Sequence, residues 1–154
     1  AIEIILTARK PLSKAHSAEK NVLQGYSILK IGLDPPRSAL REQLSLRARH
    51  MFDHGLMEEV ASLRAKGFGP DTKAMECVGY RQAQAVFESK MTLPQAIEDT
   101  TIRTAQYAKR QMTWFRKDTE TQWLQGFGSD PSVQAGAESL LKQFLLTVIN
   151  FSSD

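Results

Sequence analysis

Apolar positions recur at helical spacing along most of the chain and alternate as in a strand at one clear place. That place is YSILKIGL (26–33), where apolar and polar residues trade every second position, the period of a half-buried strand. DPPR halts it, and Pro36 suits the first turn of a helix. From Ser38 through LREQLSLRARHMF the period becomes helical, with Leu40, Leu44, Ala48, Met51 and Phe52 on one side. Gly55 predicts a break, LMEEVASLRAKG a second helix, and Gly67 its C-terminal cap. GFGPD reads as a loop, and AMECVGYRQAQAVFESK as helical in its second half. TLPQAIEDTTIRTAQYAKRQMTWFRK opens with Thr92 as N-cap, Pro94 near the first turn and Gln95 three residues after the threonine, which predicts the longest uninterrupted helix. TQWLQ allows a second short strand, and DPSVQAGAESLLKQFLLTVI repeats the cap-plus-proline opening of a final helix. Its apolar FLLTVINF is too short to span a membrane and reads as a buried helix. AIEIILTAR at the start reads as the tail of an amphipathic helix, although its β-branched run also permits a strand, and 10–25 as a loop. The expected fold is mainly α with one or two short strands.

The stretch YAKRQMTWFR (107–116) carries cations and aromatics with no acid. At 100° per residue, Ile102, Ala105, Ala108, Met112 and Phe115 fall within an arc of roughly 140°, the expected core face. Arg103, Tyr107, Arg110, Trp114 and Lys117 fall within roughly 80° on the opposite side. Lys109 and Arg116 lie at the edge of the core face, where their stems can snorkel. A solvated helix face mixes Glu with Lys at four-residue spacing, whereas this one pairs cations with large rings. Cations meet phosphates, and Tyr and Trp stack on bases or pack on sugars. The competing reading packs Tyr107 and Trp114 on another helix of the same protein and leaves the cations solvated.

Composition changes this picture little. With 154 residues, 42% hydrophobic and 24% charged, the chain suits one globular domain, or a large piece of one, and can bury a core. A net charge of +3 is only mildly basic. Its placement matters more, because from Thr100 to Lys117 there are Arg103, Lys109, Arg110, Arg116 and Lys117 and no acid. The single Cys77 excludes an internal disulfide and a Cys-rich zinc site, and fits a reducing compartment. His50 and His54 share a helix face at four-residue spacing, but no third metal ligand follows, and His16 stands alone. The chain opens in mid-pattern without an initiator Met, as the end of a longer helix would.

KAMECVGYRQ (73–82) followed by YAKRQMTWFR closely resembles tRNA dimethylallyltransferases, also called tRNA isopentenyl transferases. The spacer LPQAIEDTTIRTAQ, the preceding IGLDPPRSALREQLSLRARHMFDHGLMEEV (32–60) and AIEIILTARKPLS (1–13) resemble the same family, so the likeness covers roughly residues 1–125; the tail from Ser129 is not diagnostic. The resemblance implies the C-terminal part of a P-loop α/β transferase fold. Residues 1–33 would be the end of an insertion-domain helix, a loop and a strand joining the core sheet. Residues 34–125 would form a helical region that binds tRNA and closes the active site, and 126–154 a C-terminal helix.

It further implies transfer of a dimethylallyl group from dimethylallyl diphosphate to N6 of adenosine 37 beside the tRNA anticodon. Mg²⁺ would assist, in a cytoplasmic and monomeric protein without membrane attachment. The P-loop G-x-x-x-x-G-K-[ST] that would cradle the diphosphate, and the Asp base after it, are not in this sequence, so this piece alone is expected to be inactive. By resemblance, Arg47 takes the catalytic diphosphate contact; read from the helix alone it is a solvated Arg or an ion-pair partner of Glu42 or Glu59. Glu76, Cys77, Val78, Gly79, Tyr80 and Arg81 would contact the tRNA anticodon stem-loop, with Cys77 and Val78 also readable as core residues. Thr104, Gln106, Tyr107, Lys109, Arg110 and Gln111 form the second contact stretch. The family usually carries an Arg two residues before the Tyr, where this chain has Ala105; Arg103 lies about 160° away on the wheel. The alternatives are a non-catalytic RNA-binding module that keeps only the stem-loop grip, and a helical interaction domain that buries Tyr107 and Trp114.

Overall fold

The computed structural model describes residues 25–151. The readings made for residues 1–9, for the loop up to residue 24 and for His16 lie outside the described residues. In order the elements are β1 (Ile31–Leu33), α1 (Arg37–Asp53), α2 (Leu56–Ala65), a 3₁₀ turn (Lys73–Glu76), α3 (Tyr80–Phe87), α4 (Leu93–Phe115), β2 (Gln122–Leu124) and α5 (Pro131–Phe151). The molecule is mainly helical with two short strands, as the periodicity predicts.

The strand expected over 26–33 shortens to three residues. β1 pairs in parallel with β2 in the register Ile31↔Gln122, Gly32↔Trp123, Leu33↔Leu124. Gln122 N donates to Lys30 O (2.8 Å) and Asp34 N to Leu124 O (2.9 Å), which closes the ladder at both ends. An extended segment becomes a strand only where a neighbour satisfies its backbone groups, and β2 is only three residues long. Upstream, Tyr26 and Ile28 stay exposed. Lys30 reinforces the crossing through 2.8 Å contacts to both Asp118 and Glu120.

Helix ends follow the local chemistry. Thr92 Oγ1 accepts the Gln95 N–H (3.4 Å) while Gln95 Oε1 accepts the Thr92 N–H (2.9 Å), a reciprocal capping box. It opens α4, at 23 residues the longest helix described. Gly67 N bonds Arg64 O (3.0 Å) and Phe68 N bonds Leu63 O (3.1 Å), the paired bonds of a Schellman ending on α2. Pro36 stands one position earlier than expected, at the N-cap of α1, where its carbonyl accepts the Leu40 N–H.

The core is Phe52, Leu56, Val60, Met75, Ala83 and Ala96, with Met51, Tyr80 and Ile97 packed against it. It joins the end of α1, α2, the 3₁₀ turn, α3 and the first half of α4. Burying Phe52 there contributes about 2–3 kcal/mol. Two expectations fail. The apolar stretch late in α5 is largely exposed: Leu145, Leu146 and Ile149 are 47%, 63% and 60% exposed, because the helix meets the rest of the described molecule chiefly through β2, near the buried Val133. The second half of α4 is not a core element either. Its buried residues are Ala96, Thr100 and Thr101, whereas Ile102 and Phe115 of the expected core face are 39% and 46% exposed. The reason is tertiary: α1 and α3 cover the first half of α4, and beyond them the same face lines an open groove.

Candidate nucleic-acid interface

The turn from Glu76 to Arg81 links the 3₁₀ turn to α3. Gly79, at its apex, has φ +99° and caps α3. A Cβ there would lie 3.7 Å from Leu56 Cδ2, an ordinary contact, so glycine is required for its backbone angle and not for space. The Gly79 N–H donates to Gln82 Oε1 (2.8 Å), and Gln82 Nε2 donates to Asp99 Oδ2 (2.7 Å) on α4. On the other side, the Tyr80 hydroxyl donates to Glu59 Oε1 (2.8 Å) on α2. That bond, followed by partial burial, raises the phenol above its ordinary value. Held from both sides, the turn leaves Glu76, Cys77, Val78 and Arg81 exposed. The core role considered for Cys77 and Val78 does not hold: Cys77 is an exposed free thiol and Val78 is 46% exposed, because Met75 fills the core position instead.

On α4, Tyr107 and Trp114 are 54% and 68% exposed. Neither ring is covered by another helix among the described residues, against the reading that buries both. The Arg110 guanidinium lies 5.7 Å from the Tyr107 ring centroid, a cation–π contact that holds the charge over the ring. Gln106, Lys109, Arg110 and Thr113 line a shallow cleft of about 390 Å³ on this face. The hydroxyl of Thr104 is turned inward, donating to Thr100 O (2.7 Å). The acid-free stretch is less free of acids in space than in sequence. Arg103 Nε donates to Asp99 Oδ2 (2.6 Å), and Arg116 pairs with Asp34. Lys109, Arg110 and Lys117 carry no ion pair among the described residues. Burial alone would raise the Asp99 carboxyl, but hydrogen bonds from Gln82 and Arg103 more than offset it and hold the group below its ordinary value.

The open face of α4 looks onto β1 and the start of α1 across a groove of about 1420 Å³. Leu40, Leu44, Ala108 and Met112 give it an apolar floor, and Arg37, Arg41, Lys109 and Lys117 bring cations to it. Arg41 faces Glu98 at 3.5 Å; Arg37 carries no ion pair among the described residues. Lys109 lines both the groove and the shallow cleft, so it marks the ridge between them, and Gln111 faces the groove. Ala105 also lines it, where a longer side chain would project into the space. Arg103, bound to Asp99 and outside the lining, does not substitute. Arg47 is exposed and pairs with neither Glu42 nor Glu59. Seven residues after Leu40, it shares the wheel position of the groove-facing row but lies beyond the lining. His50 and His54 stack at 4.1 Å, with His54 Nδ1 2.9 Å from His50 O. No cluster of three His, Cys, Asp or Glu among the described residues suits a metal ion. Among the described residues the implied Mg²⁺ finds no ligand set.

Asp99, Gln82, Arg37 and Arg41 are missed in the sequence reading. The Asp99–Arg103 spacing of four on a helix was a usable signal. Nothing in the sequence brings Arg37 opposite Lys109.

The IPP transferase family model matches residues 1–118. The tRNA dimethylallyltransferase of Koribacter versatilis is 42% identical over 142 residues, which is 92% of this chain and 46% of that protein. That of Solibacter usitatus is 37% identical over 145 residues, 94% of this chain and 47% of that protein. A crystal structure of the tRNA delta(2)-isopentenylpyrophosphate transferase of Staphylococcus epidermidis superposes with a TM-score of 0.69 at 28% identity, covering 96% of this chain and 47% of that one. The chain thus spans about half the length of the relatives it matches. Sequence and architecture agree, and the chain belongs to the IPP transferase family.

Proposed function

We propose that this chain is the RNA-gripping part of a tRNA prenyltransferase that moves a dimethylallyl group from its diphosphate to N6 of adenosine 37. The observation that carries the reading is the exposed Tyr107–Arg110–Trp114 face of α4, with Lys109 and Lys117 unpaired among the described residues, on a chain of this family. In the reaction, N6 attacks the allylic carbon, the carbon–oxygen bond breaks, diphosphate departs with the bonding electrons, and the N6 proton passes to a base. This chain's part is to hold the reactants. Lys109, Arg110 and Arg81 neutralise stem-loop phosphates, while Tyr107 and Trp114 offer ring faces to unstacked bases. An apolar floor rimmed by Arg37 and Lys109 suits a short prenyl chain bearing a diphosphate. On this reading the protein works in the cytoplasm, where the exposed Cys77 stays reduced. It works as a monomer, which size-exclusion chromatography at binding concentrations checks.

A salt titration of anticodon stem-loop binding tests the RNA face. With about four phosphates neutralised, affinity falls with a log–log slope of about −3, and Arg110→Ala weakens it roughly tenfold. Affinity indifferent to both salt and Arg110→Ala refutes the reading. Arg47 is assigned to the diphosphate on the family resemblance. Arg47→Ala therefore leaves stem-loop affinity within about twofold; a larger loss moves Arg47 to the RNA face.

A further inference from the structure

We propose that Gln82 and Asp99 form a positioning bridge that fixes the Glu76–Arg81 turn against α4, so that both RNA-facing segments engage one RNA at the same time. The proposal rests on the RNA-binding reading above. Gln82 is 2% exposed, and a buried amide is costly unless both of its ends are bonded. Here both are: Oε1 takes the Gly79 N–H, a donor at the start of α3 that the helix itself cannot satisfy, and Nε2 reaches Asp99 on α4. A leucine would fill the same space without the desolvation cost, but would leave Gly79 N–H unpaired and α3 uncoupled from Asp99. Asp99 Oδ2 also takes Arg103 Nε, so one carboxylate oxygen holds both groups and Arg103 is committed to the bridge instead of to RNA.

The bridge joins the turn to α4 just N-terminal to the Tyr107–Arg110 face. Its neighbour Tyr80 anchors the same turn to α2 through Glu59. Arg81, next in sequence to Gln82 and exposed without an ion pair among the described residues, is the group the bridge would aim. A role confined to capping α3 would affect stability alone. A positioning role also changes how many phosphates are neutralised together.

The test measures binding of an anticodon stem-loop hairpin to the 154-residue chain across a salt series. Gln82→Glu sets a carboxylate against the Asp99 carboxylate. It is expected to weaken binding roughly tenfold and to lower the salt slope by about one, the Arg81 contact. The double variant Gln82→Glu with Asp99→Asn restores a donor opposite an acceptor at this contact while giving up the Arg103 bond to the same atom, and returns part of the lost affinity. Asp99→Ala removes the oxygen that Gln82 Nε2 and Arg103 Nε share and decides the question if Gln82→Glu fails to fold by circular dichroism; it is expected to weaken binding and flatten the slope. Wild-type affinity and slope in both single variants, while Arg110→Ala still weakens binding, overturns the bridge and spares the RNA reading. A folded double variant as weak as Gln82→Glu also overturns it. Salt-independent binding of the wild type that ignores Arg110→Ala removes the RNA reading and the bridge with it.

Discussion

Tyr107 shows what a single side chain can do on this surface. Its ring is more than half exposed, and the Arg110 guanidinium is held over it, so one face offers stacking and the neighbouring charge offers a phosphate contact. Base–aromatic stacking contributes about 1–3 kcal/mol per base. Tyr107→Ala is therefore expected to weaken stem-loop binding by about tenfold or more, while Tyr107→Phe, which keeps the ring, binds as wild type does. Equal affinities for the two variants in a fluorescence titration would show that the ring takes no part. Gly79 makes the complementary point about the backbone. Its positive φ suits the glycine at that position, but its N–H partner, Gln82, required the fold.

At the scale of the element, α4 is two helices in function. Its first half is structural, opened by the Thr92–Gln95 box and buried through Ala96, Thr100 and Thr101. Its second half turns outward as a ridge between the cleft and the groove. The box satisfies donors that would otherwise be orphaned at the helix start, so Thr92→Ala is expected to destabilise the protein by about 1 kcal/mol. Because Thr92 lies at the structural end, stem-loop affinity of the folded variant should not change; chemical denaturation together with one binding curve checks both halves of the statement. The box was legible because Thr-x-x-Gln is a local pattern. The exposure of Ile102 and Phe115 was not, because helical periodicity reports an apolar face and not what covers it.

For the whole molecule, the described core is small and lies at one end, where α1, α2, α3 and α4 meet. The two-stranded sheet and the groove lie at the other, and three-residue strands contribute little stability alone. Stability against acid should depend on the bridge at the packed end. Asp99 is held below its ordinary 3.8 in the fold, so the unfolded chain binds the proton more readily. Its contribution is fully present above about pH 4 and is lost as pH falls through the lower folded value. Asp99→Asn is expected to lower the thermal midpoint at pH 7 and to make its decline below pH 4 shallower. Parallel decline curves for variant and wild type from pH 6 to 3 would show that Asp99 is not the group responsible.

The sequence by itself determined the helices, their caps and the helical class of the fold, since periodicity and capping residues act within a few residues of chain. It also carried the family likeness in KAMECVGYRQ and YAKRQMTWFR. Tertiary structure decided what those elements face. It cut the expected eight-residue strand to three because β2 offers no longer partner, and it left the apolar end of α5 and the second half of α4 largely exposed. It also neutralised Arg103 and Arg116 with Asp99 and Asp34, one a helical turn away and the other across the fold. Burial, pairing and free charge are set by neighbours distant in sequence, and only the fold decides which neighbours those are.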